Sequence, residues 1–161
     1  MDYSIQPIYM VAALHLYHMI PGLGFRLHVA DYVHHFVFVG SICSVGMLYE
    51  SGPLQNFIAM FICGLPGGLD YIMLVFVKLG MMKPEREKVL NARINLWLRA
   101  PGLTVSTLFI YVTALYGPDY SPCRNHPILA TVIAGLIFFN GQYYLNVVVG
   151  NTTRKVETYN S

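Results

Sequence analysis

Two adjacent histidines, His34 and His35, open a long apolar run of this sequence, and Asp31 lies one helical turn before them. Ionisable side chains at the entrance of a membrane-spanning segment are costly and usually face a protein interior or a polar cavity. A neutral imidazole can take a proton from an attacking hydroxyl or amine near physiological pH. The pattern therefore predicts either acid–base chemistry or ligand binding close to one membrane boundary.

Other polar residues lie at a similar depth from the same predicted boundary. Asp70 stands well inside an apolar segment, where a carboxylate needs a partner or a proton. The remaining members of this polar layer are His15, His18, Arg99, Gln142 and Asn146. Because every apolar segment contributes a polar group to the same half of the membrane, the sequence predicts a polar pocket centred on His34, His35 and Asp70.

The composition predicts that these residues are held by membrane-spanning helices. The chain is 55% hydrophobic and 11% charged, whereas soluble domains carry about 25% charged residues. Its apolar residues form long blocks, so we expect a single all-α domain, a polytopic transmembrane bundle of about five spans. The predicted spans are 6–20, 32–49, 56–79, 95–116 and 128–149. We expect residues 21–24 to end the first span and Pro66-Gly67-Gly68 to break the third.

The distribution of positive charge predicts the orientation of the bundle. With five spans, one side of the membrane receives Arg26, Lys78, Lys83, Arg86, Lys88, Arg93, Arg99, Arg154 and Lys155, and the other side receives Arg124. Lysine and arginine accumulate on the cytoplasmic side of membrane proteins. The C-terminus and the predicted polar pocket should therefore face the cytosol, and the N-terminus should face the lumen or exterior.

The order of these motifs resembles the TLC-domain family, the membrane family that includes the ceramide synthases. In that family a His-His pair opens a transmembrane helix, as His34 and His35 do here. A later helix of the family carries aspartates followed by a lysine, and Asp70 and Lys78 match its last aspartate and that lysine. The sequence Leu65-Pro66-Gly67-Gly68-Leu69 stands where the family has a His-Asp pair. The resemblance covers roughly residues 10–80.

The resemblance implies acyl transfer from acyl-CoA to a lipid amine or hydroxyl, or lipid binding and sensing without catalysis. The catalytic residues would be His34, His35 and Asp70, with His34 or His35 as the base. The residues predicted to bind lipid are Asp31, Arg99, Gln142, Asn146 and His18. Acyl-CoA would be a co-substrate rather than a resident cofactor, the partners would be membrane lipids rather than nucleic acid, and the endoplasmic reticulum is the expected location.

Several other functions remain open at this point. The main alternative is a non-enzymatic structural subunit of a larger membrane assembly, or a homo-oligomer. A membrane di-iron oxidase requires more histidines than the six present, and His126 falls on the opposite side of the membrane. The preferred interpretation contains no metal, although a smaller site, such as zinc on three histidines, is a further alternative. A transporter built around Asp70 and the interrupted third span is another.

Overall fold

The structure is a computed structural model that describes residues 3–20 and 29–160, with the backbone alone for residue 30 and residues 154–160. The described residues form helices and no strand, which confirms the all-α prediction. The helices are α1 (Gln6–Met19), α2 (29–48), α3 (Pro53–Lys78), α4 (Pro84–Tyr116), α5 (Pro122–Asn125) and α6 (Pro127–Asn160). The predicted stop at 21–24 and Arg26 lie outside the described residues.

Three of the described helices are long and apolar enough to cross a membrane. They are α3, α4 and the Pro127–Thr153 part of α6. Helix α1 has 14 residues, fewer than the roughly 20 that a perpendicular span needs, and α2 carries Asp31 and the histidine pair. These helices suggest a membrane protein, and the count of five spans stays a prediction.

Proline and glycine set the ends of the helices. The first turns of five described helices contain a proline: Pro7, Pro53, Pro84, Pro122 and Pro127. Proline suits this position because the N–H groups of the first turn have no acceptor within the helix, so a residue without an N–H loses no hydrogen bond there. At the end of α3, Gly80 adopts a positive φ of 72°, and the Met81 N–H donates back to Phe76 O at 2.9 Å. This left-handed residue ends the helix and lets the chain turn toward α4.

The predicted break at Pro66 is wrong, because a π-helical stretch accommodates the proline within α3. The stretch spans Met60–Gly64, and the Leu65 N–H donates to Met60 O, five residues back. A proline in an α-helix clashes with the carbonyl four residues earlier, which here is that of Ile62 inside the π stretch. Widening this turn moves that carbonyl out of the way. The helix therefore continues from Pro53 to Lys78.

The same arrangement recurs in α4. A π-helical stretch spans Asn95–Arg99, the Ala100 N–H donates to Asn95 O, and Pro101 follows directly. The helix starts at Pro84, eleven residues before the predicted span 95–116, and Lys83 is its N-cap residue. Helix α2 carries a third π stretch, Phe38–Cys43, which contains no proline.

Small residues allow the helices to approach each other closely. A Cβ atom on Gly102 of α4 would lie 2.0 Å from Cδ1 of Phe61 on α3. A Cβ atom on Gly141 of α6 would lie 2.9 Å from Cδ1 of Leu103 on α4. Such close contacts are typical of helix packing in membranes, where small residues let backbones approach. These contacts join α3, α4 and α6 around a buried core.

Loop contacts close the end of the bundle that contains the α2–α3 connection. The Tyr3 hydroxyl donates to the Glu50 carboxylate, and this hydrogen bond raises the pKa of Tyr3 to about 12. The His126 ring packs edge-on against the ring of Tyr49, with centroids 4.9 Å apart. His126 therefore lies at this end, apart from the other histidines of the described chain, as the sequence predicts.

Candidate functional site

A polar cavity of about 350 Å³ lies between the other ends of the helices. Helices α1, α2, α3, α4 and α6 all contribute to its wall. The predicted polar residues that line it are His18, His34, His35, Asp70 and Arg99. Lining residues absent from the predicted site are His15, Cys63, Tyr71, Asn140 and Tyr144. The structure thus brings together both motifs of the sequence, the histidine pair and Asp70, at one cavity.

The three π-helical stretches all reach this cavity. Phe38 comes from the stretch in α2, Ile62 and Cys63 from that in α3, and Arg99 from that in α4. A π turn changes which side chains share a helix face, and such turns often occur at functional sites. The cavity wall is therefore built where three helices depart from regular geometry.

Three imidazole rings cluster on one wall of the cavity. The ring centroid of His15 lies 5.1 Å from that of His35 and 6.0 Å from that of His34, and the pair itself is 5.2 Å apart. One ring nitrogen from each of the three lies within 4.8 Å of the other two. Because α1 supplies His15 and α2 supplies the pair, the cluster depends on the packing of these two helices.

The orientation of His15 is fixed on both sides of its ring. Nδ1 lies 2.7 Å from the carbonyl oxygen of Val11; a carbonyl only accepts, so Nδ1 carries the hydrogen and donates. The ring also stacks on Phe38, with centroids 4.3 Å apart and planes 7° apart. Nε2 of His15 therefore carries a lone pair, which accepts a weak hydrogen bond from the thiol of Cys63, with Sγ 4.0 Å away.

Two tyrosines contact two of the other histidines, His18 and His34. The Nε2 atom of His18 lies 2.7 Å from the hydroxyl oxygen of Tyr71, a hydrogen bond that joins α1 to α3. The ring of His34 packs edge-on against Tyr144 of α6, with centroids 4.7 Å apart. These contacts join α1 to α3, the helix that carries Asp70, and α2 to α6.

Charged residues of both signs lie at the cavity, where Asp70 and Arg99 line it, and directly beside it. Asp70 lies near the carboxyl group of Glu87 and near the cations Lys88 and Arg99. Glu87 is only 2% exposed, and the Nζ atom of Lys88 lies 3.2 Å from its Oε2. The Nη1 group of Arg99 donates to Oδ1 of Asn95 at 2.9 Å. The carboxylates and cations partly compensate each other, which reduces the cost of placing them inside the bundle.

Several polar atoms at this cavity lack a partner within the described part of the chain. They are Nδ1 of His35, Oδ1 of Asp70 and Nε of Arg99, all buried and without a hydrogen bond. Leaving a buried polar atom unpaired costs about 1–3 kcal/mol, and more for a charged group. Three such atoms belong to residues that line one cavity, and a buried polar atom without a partner calls for an explanation such as a bound ligand, ion or water.

Three residues predicted to bind lipid do not line the cavity. Asp31 lies in the first turn of α2, one turn before the histidines. On α6 the cavity is lined by Asn140, Gly141 and Tyr144. Each helical residue turns the side chain by about 100°, so Gln142 and Asn146 point to another face. The sequence places residues by depth, and depth alone does not determine which face of the helix they occupy.

His15 is the functional candidate that the predicted site omits. Its spacing of three residues from His18 places both side chains on one face of α1, and this is the sequence signal that they share a cavity. Nothing in the sequence indicates that His15, rather than His18, joins the His34–His35 pair. That distinction depends on how α1 packs against α2.

Three apolar spaces adjoin the polar cavity. A groove of about 460 Å³ runs between α2 and α6 and is lined by His34, Phe38 and Asn140, which also line the polar cavity. A groove of about 470 Å³ between α1 and α3 shares Leu14 and Cys63 with it, and a smaller apolar cavity of about 80 Å³ lies on the far side of Phe38 and Ile62. The polar cavity therefore borders apolar space on several sides.

This arrangement can bind a molecule with a polar head and an apolar chain, and its imidazoles are suited to proton transfer or metal binding. Comparison with protein-family models, with curated proteins and with solved structures gives no significant match.

Proposed function

We propose that this chain is a multi-pass membrane protein that binds a membrane lipid, with the polar headgroup in the central cavity. The observation that carries the proposal is the set of unpaired buried atoms on Asp70, Arg99 and His35 in residues around one cavity. A headgroup that pairs with these atoms offsets their desolvation cost. Their positions on α2, α3 and α4 require the ligand to contact several helices at once.

The charges at the cavity favour a headgroup with two kinds of group. The guanidinium of Arg99 presents an unpaired donor, which suits a phosphate or carboxylate oxygen. The carboxylate of Asp70 presents an unpaired acceptor, which suits a hydroxyl or an amine. The proposed ligand is therefore a lipid whose headgroup carries an anionic group and a hydroxyl or amine donor.

The groove between α2 and α6 provides a path for the apolar part of the lipid. Its exposed apolar side chains are Val33, Val37, Phe139 and Tyr143. In a membrane, exposed apolar surface of this kind faces acyl chains without cost. Since His34 lines both the groove and the polar cavity, a lipid can enter sideways from the bilayer and place its headgroup beside the histidines.

The resemblance to TLC domains supports the same proposal. The His-His pair and Asp70, which carry that resemblance, both line the cavity, although they are about 35 residues apart in the sequence. We further propose that the cavity opens toward the cytosol, that the C-terminus is cytosolic and that the protein resides in the endoplasmic reticulum. The excess of lysine and arginine on that side supports the orientation.

Lipid mass spectrometry of the gently purified protein tests this function. We expect a specific lipid to co-purify with the wild-type protein at a constant ratio. Its retained amount should fall roughly tenfold or more in Arg99→Gln and Asp70→Asn, because a hydrogen bond to a charged group contributes about 1.5–3 kcal/mol.

Asn146→Ala serves as the matched control, because Asn146 lies at a similar predicted depth but does not line the cavity. It should retain the lipid at the wild-type level. Only bulk membrane lipid, in equal amounts in all four proteins, would contradict the proposal and favour a structural subunit.

A further inference from the structure

The clustering of His15, His34 and His35 is tighter than lipid binding requires. One nitrogen from each ring lies within 4.8 Å of the other two, and three positively charged rings at this distance would repel each other. The cluster is also assembled from two helices. Three neutral imidazoles that converge on one point are a ligand set for a transition-metal ion.

The hydrogen bond of His15 provides a second observation. Its Nδ1–H donates to the carbonyl of Val11 at 2.7 Å, so Nε2 carries the lone pair. That lone pair accepts only a weak hydrogen bond from the Cys63 thiol, 4.0 Å away, which a bound metal ion would replace. Histidines that bind metals almost always donate their other ring N–H to a carboxylate, a backbone carbonyl or water, which fixes the tautomer. The stack on Phe38 fixes the plane of the ring as well.

The third observation concerns His35. Its Nδ1 atom is buried and has no hydrogen-bond partner within the described residues. A cation that this nitrogen coordinates would give it the partner that it lacks. Arg99 also lines the cavity. Its positive charge would repel a metal ion bound to the histidines, unless a ligand or a carboxylate balances the two positive charges. Asp70 lines the same cavity and carries the compensating charge.

We propose that His15, His34 and His35 bind a zinc ion at the wall of the central cavity. Zinc is bound by imidazole nitrogens at about 2.0–2.1 Å, and three-histidine sites leave a fourth position for water or another ligand. Nitrogens on one tetrahedral zinc ion lie roughly 3.4 Å apart, so the rings need to close by distances on the order of 1 Å. The thiol of Cys63, 4.0 Å from Nε2 of His15, is the neighbour of the bound ion on α3.

The inference does not rest on the proposed lipid function. It predicts that the full-length protein binds zinc after its lipid has been removed. It also predicts that Arg99→Gln, which is designed to lose lipid, keeps the metal. Failure of one proposal is therefore distinguishable from failure of the other.

Zinc titration of the chelator-treated protein in detergent provides the test, with metal content measured by mass spectrometry and Co²⁺ used as a spectroscopic probe. We expect about one zinc ion per chain, the stoichiometry of a single site. Co²⁺ should give the visible absorption of a four- or five-coordinate ion. Alanine at position 15, 34 or 35 should lower zinc affinity by roughly tenfold or more and remove the cobalt absorption.

Two histidine variants outside the cluster act as controls. His18→Ala removes a histidine from the same cavity, and His126→Ala removes one beside Tyr49 at the other end of the bundle. Both should bind zinc like the wild-type protein. Thermal unfolding of the metal-free proteins is compared first, and any alanine variant without a cooperative transition is replaced by asparagine at the same position.

Zinc should also raise the thermal unfolding temperature of the wild-type protein but not that of the three cluster variants, because a ligand stabilises the fold that binds it. The proposal is overturned if the wild-type protein binds no zinc at micromolar concentration. It is equally overturned if the His18→Ala or His126→Ala protein loses as much zinc as the cluster variants do.

Discussion

The imidazole of His15 stacks on the phenyl ring of Phe38, with centroids 4.3 Å apart and planes 7° apart. Phe38 also lines both the polar cavity and the smaller apolar cavity. Its side chain is 2% exposed. A single aromatic ring thus supports a histidine of the proposed metal site and separates polar space from apolar space.

We expect Phe38→Ala to destabilise the protein by about 3–5 kcal/mol, because it removes a buried ring and leaves a cavity. Thermal unfolding in detergent measures this change. Phe36→Ala is the control, since Phe36 lies on the same helix but is 75% exposed, and its removal should leave the unfolding temperature nearly unchanged. If the two substitutions lower the unfolding temperature equally, Phe38 is not the buried ring that separates the two cavities.

The close contact of Gly102 with Phe61 leads to a second prediction. Gly102→Ala places a Cβ atom 2.0 Å from Cδ1 of Phe61, so the helices must separate or the ring must move. Overpacking of this kind costs about 1–3 kcal/mol. Measurement of thermal unfolding should show a lower midpoint for the variant.

Gly135→Ala is the matched control for Gly102→Ala. Gly135 also lies inside a helix, but a Cβ atom there meets nothing within 4 Å. Because alanine is favoured over glycine in a helix by about 1 kcal/mol, this variant should be as stable as the wild-type protein or slightly more so. If Gly135→Ala lowers the unfolding midpoint more than Gly102→Ala does, the α3–α4 contact is looser than described.

The helical segments and the depth of the polar residues were predictable from the sequence. Long apolar blocks predict membrane-spanning helices. If these helices pack side by side, polar residues at the same depth in several of them lie close together. This reasoning brought together His34, His35, Asp70 and Arg99, which come from three helices. The site therefore follows in outline from the position of each residue along its helix.

The parts that were not predictable depend on rotation about the helix axis. Gln142 and Asn146 have the predicted depth but face away from the cavity. Pro66 was expected to break α3, whereas the π-helical stretch Met60–Gly64 absorbs it. Such a stretch also changes which face of the helix each of the following residues occupies. Periodicity in the sequence cannot show that shift. The place of His15 beside His34 and His35 was not predictable either, because it depends on how α1 packs against α2.

The predicted orientation can be tested with exposed loop positions at the two ends of the bundle. Met81 follows α3 and is 72% exposed, and Tyr120 follows α4 and is 86% exposed. In sealed membrane vesicles of known orientation, Met81→Cys should react with a membrane-impermeant maleimide from the cytosolic side. Tyr120→Cys should react from the opposite side. The charge distribution predicts this result.

Labelling of both positions from the same side would contradict the predicted topology. Both variants are made in a background in which the native cysteines Cys43, Cys63 and Cys123 are replaced by alanine. The background protein itself, which then contains no thiol, provides the control for non-specific labelling.

The different environments of Cys63 and Cys43 lead to a final prediction. Cys63 lines the polar cavity, whereas Cys43 is completely buried. A small methanethiosulfonate reagent should therefore modify a protein that retains only Cys63 on the order of ten times faster than one that retains only Cys43, because access controls thiol reactivity. Intact-mass spectrometry follows the reaction.

Zinc should slow the modification of Cys63, since its Sγ atom lies 4.0 Å from Nε2 of His15, the nitrogen proposed to bind the ion. The same addition should leave the slow reaction of Cys43 unchanged. In His15→Ala the protection of Cys63 should disappear while its reaction without zinc continues. If Cys43 reacts as fast as Cys63 in the folded protein, the cavity does not reach Cys63 as described. Protection that persists in His15→Ala would place the bound ion away from this histidine.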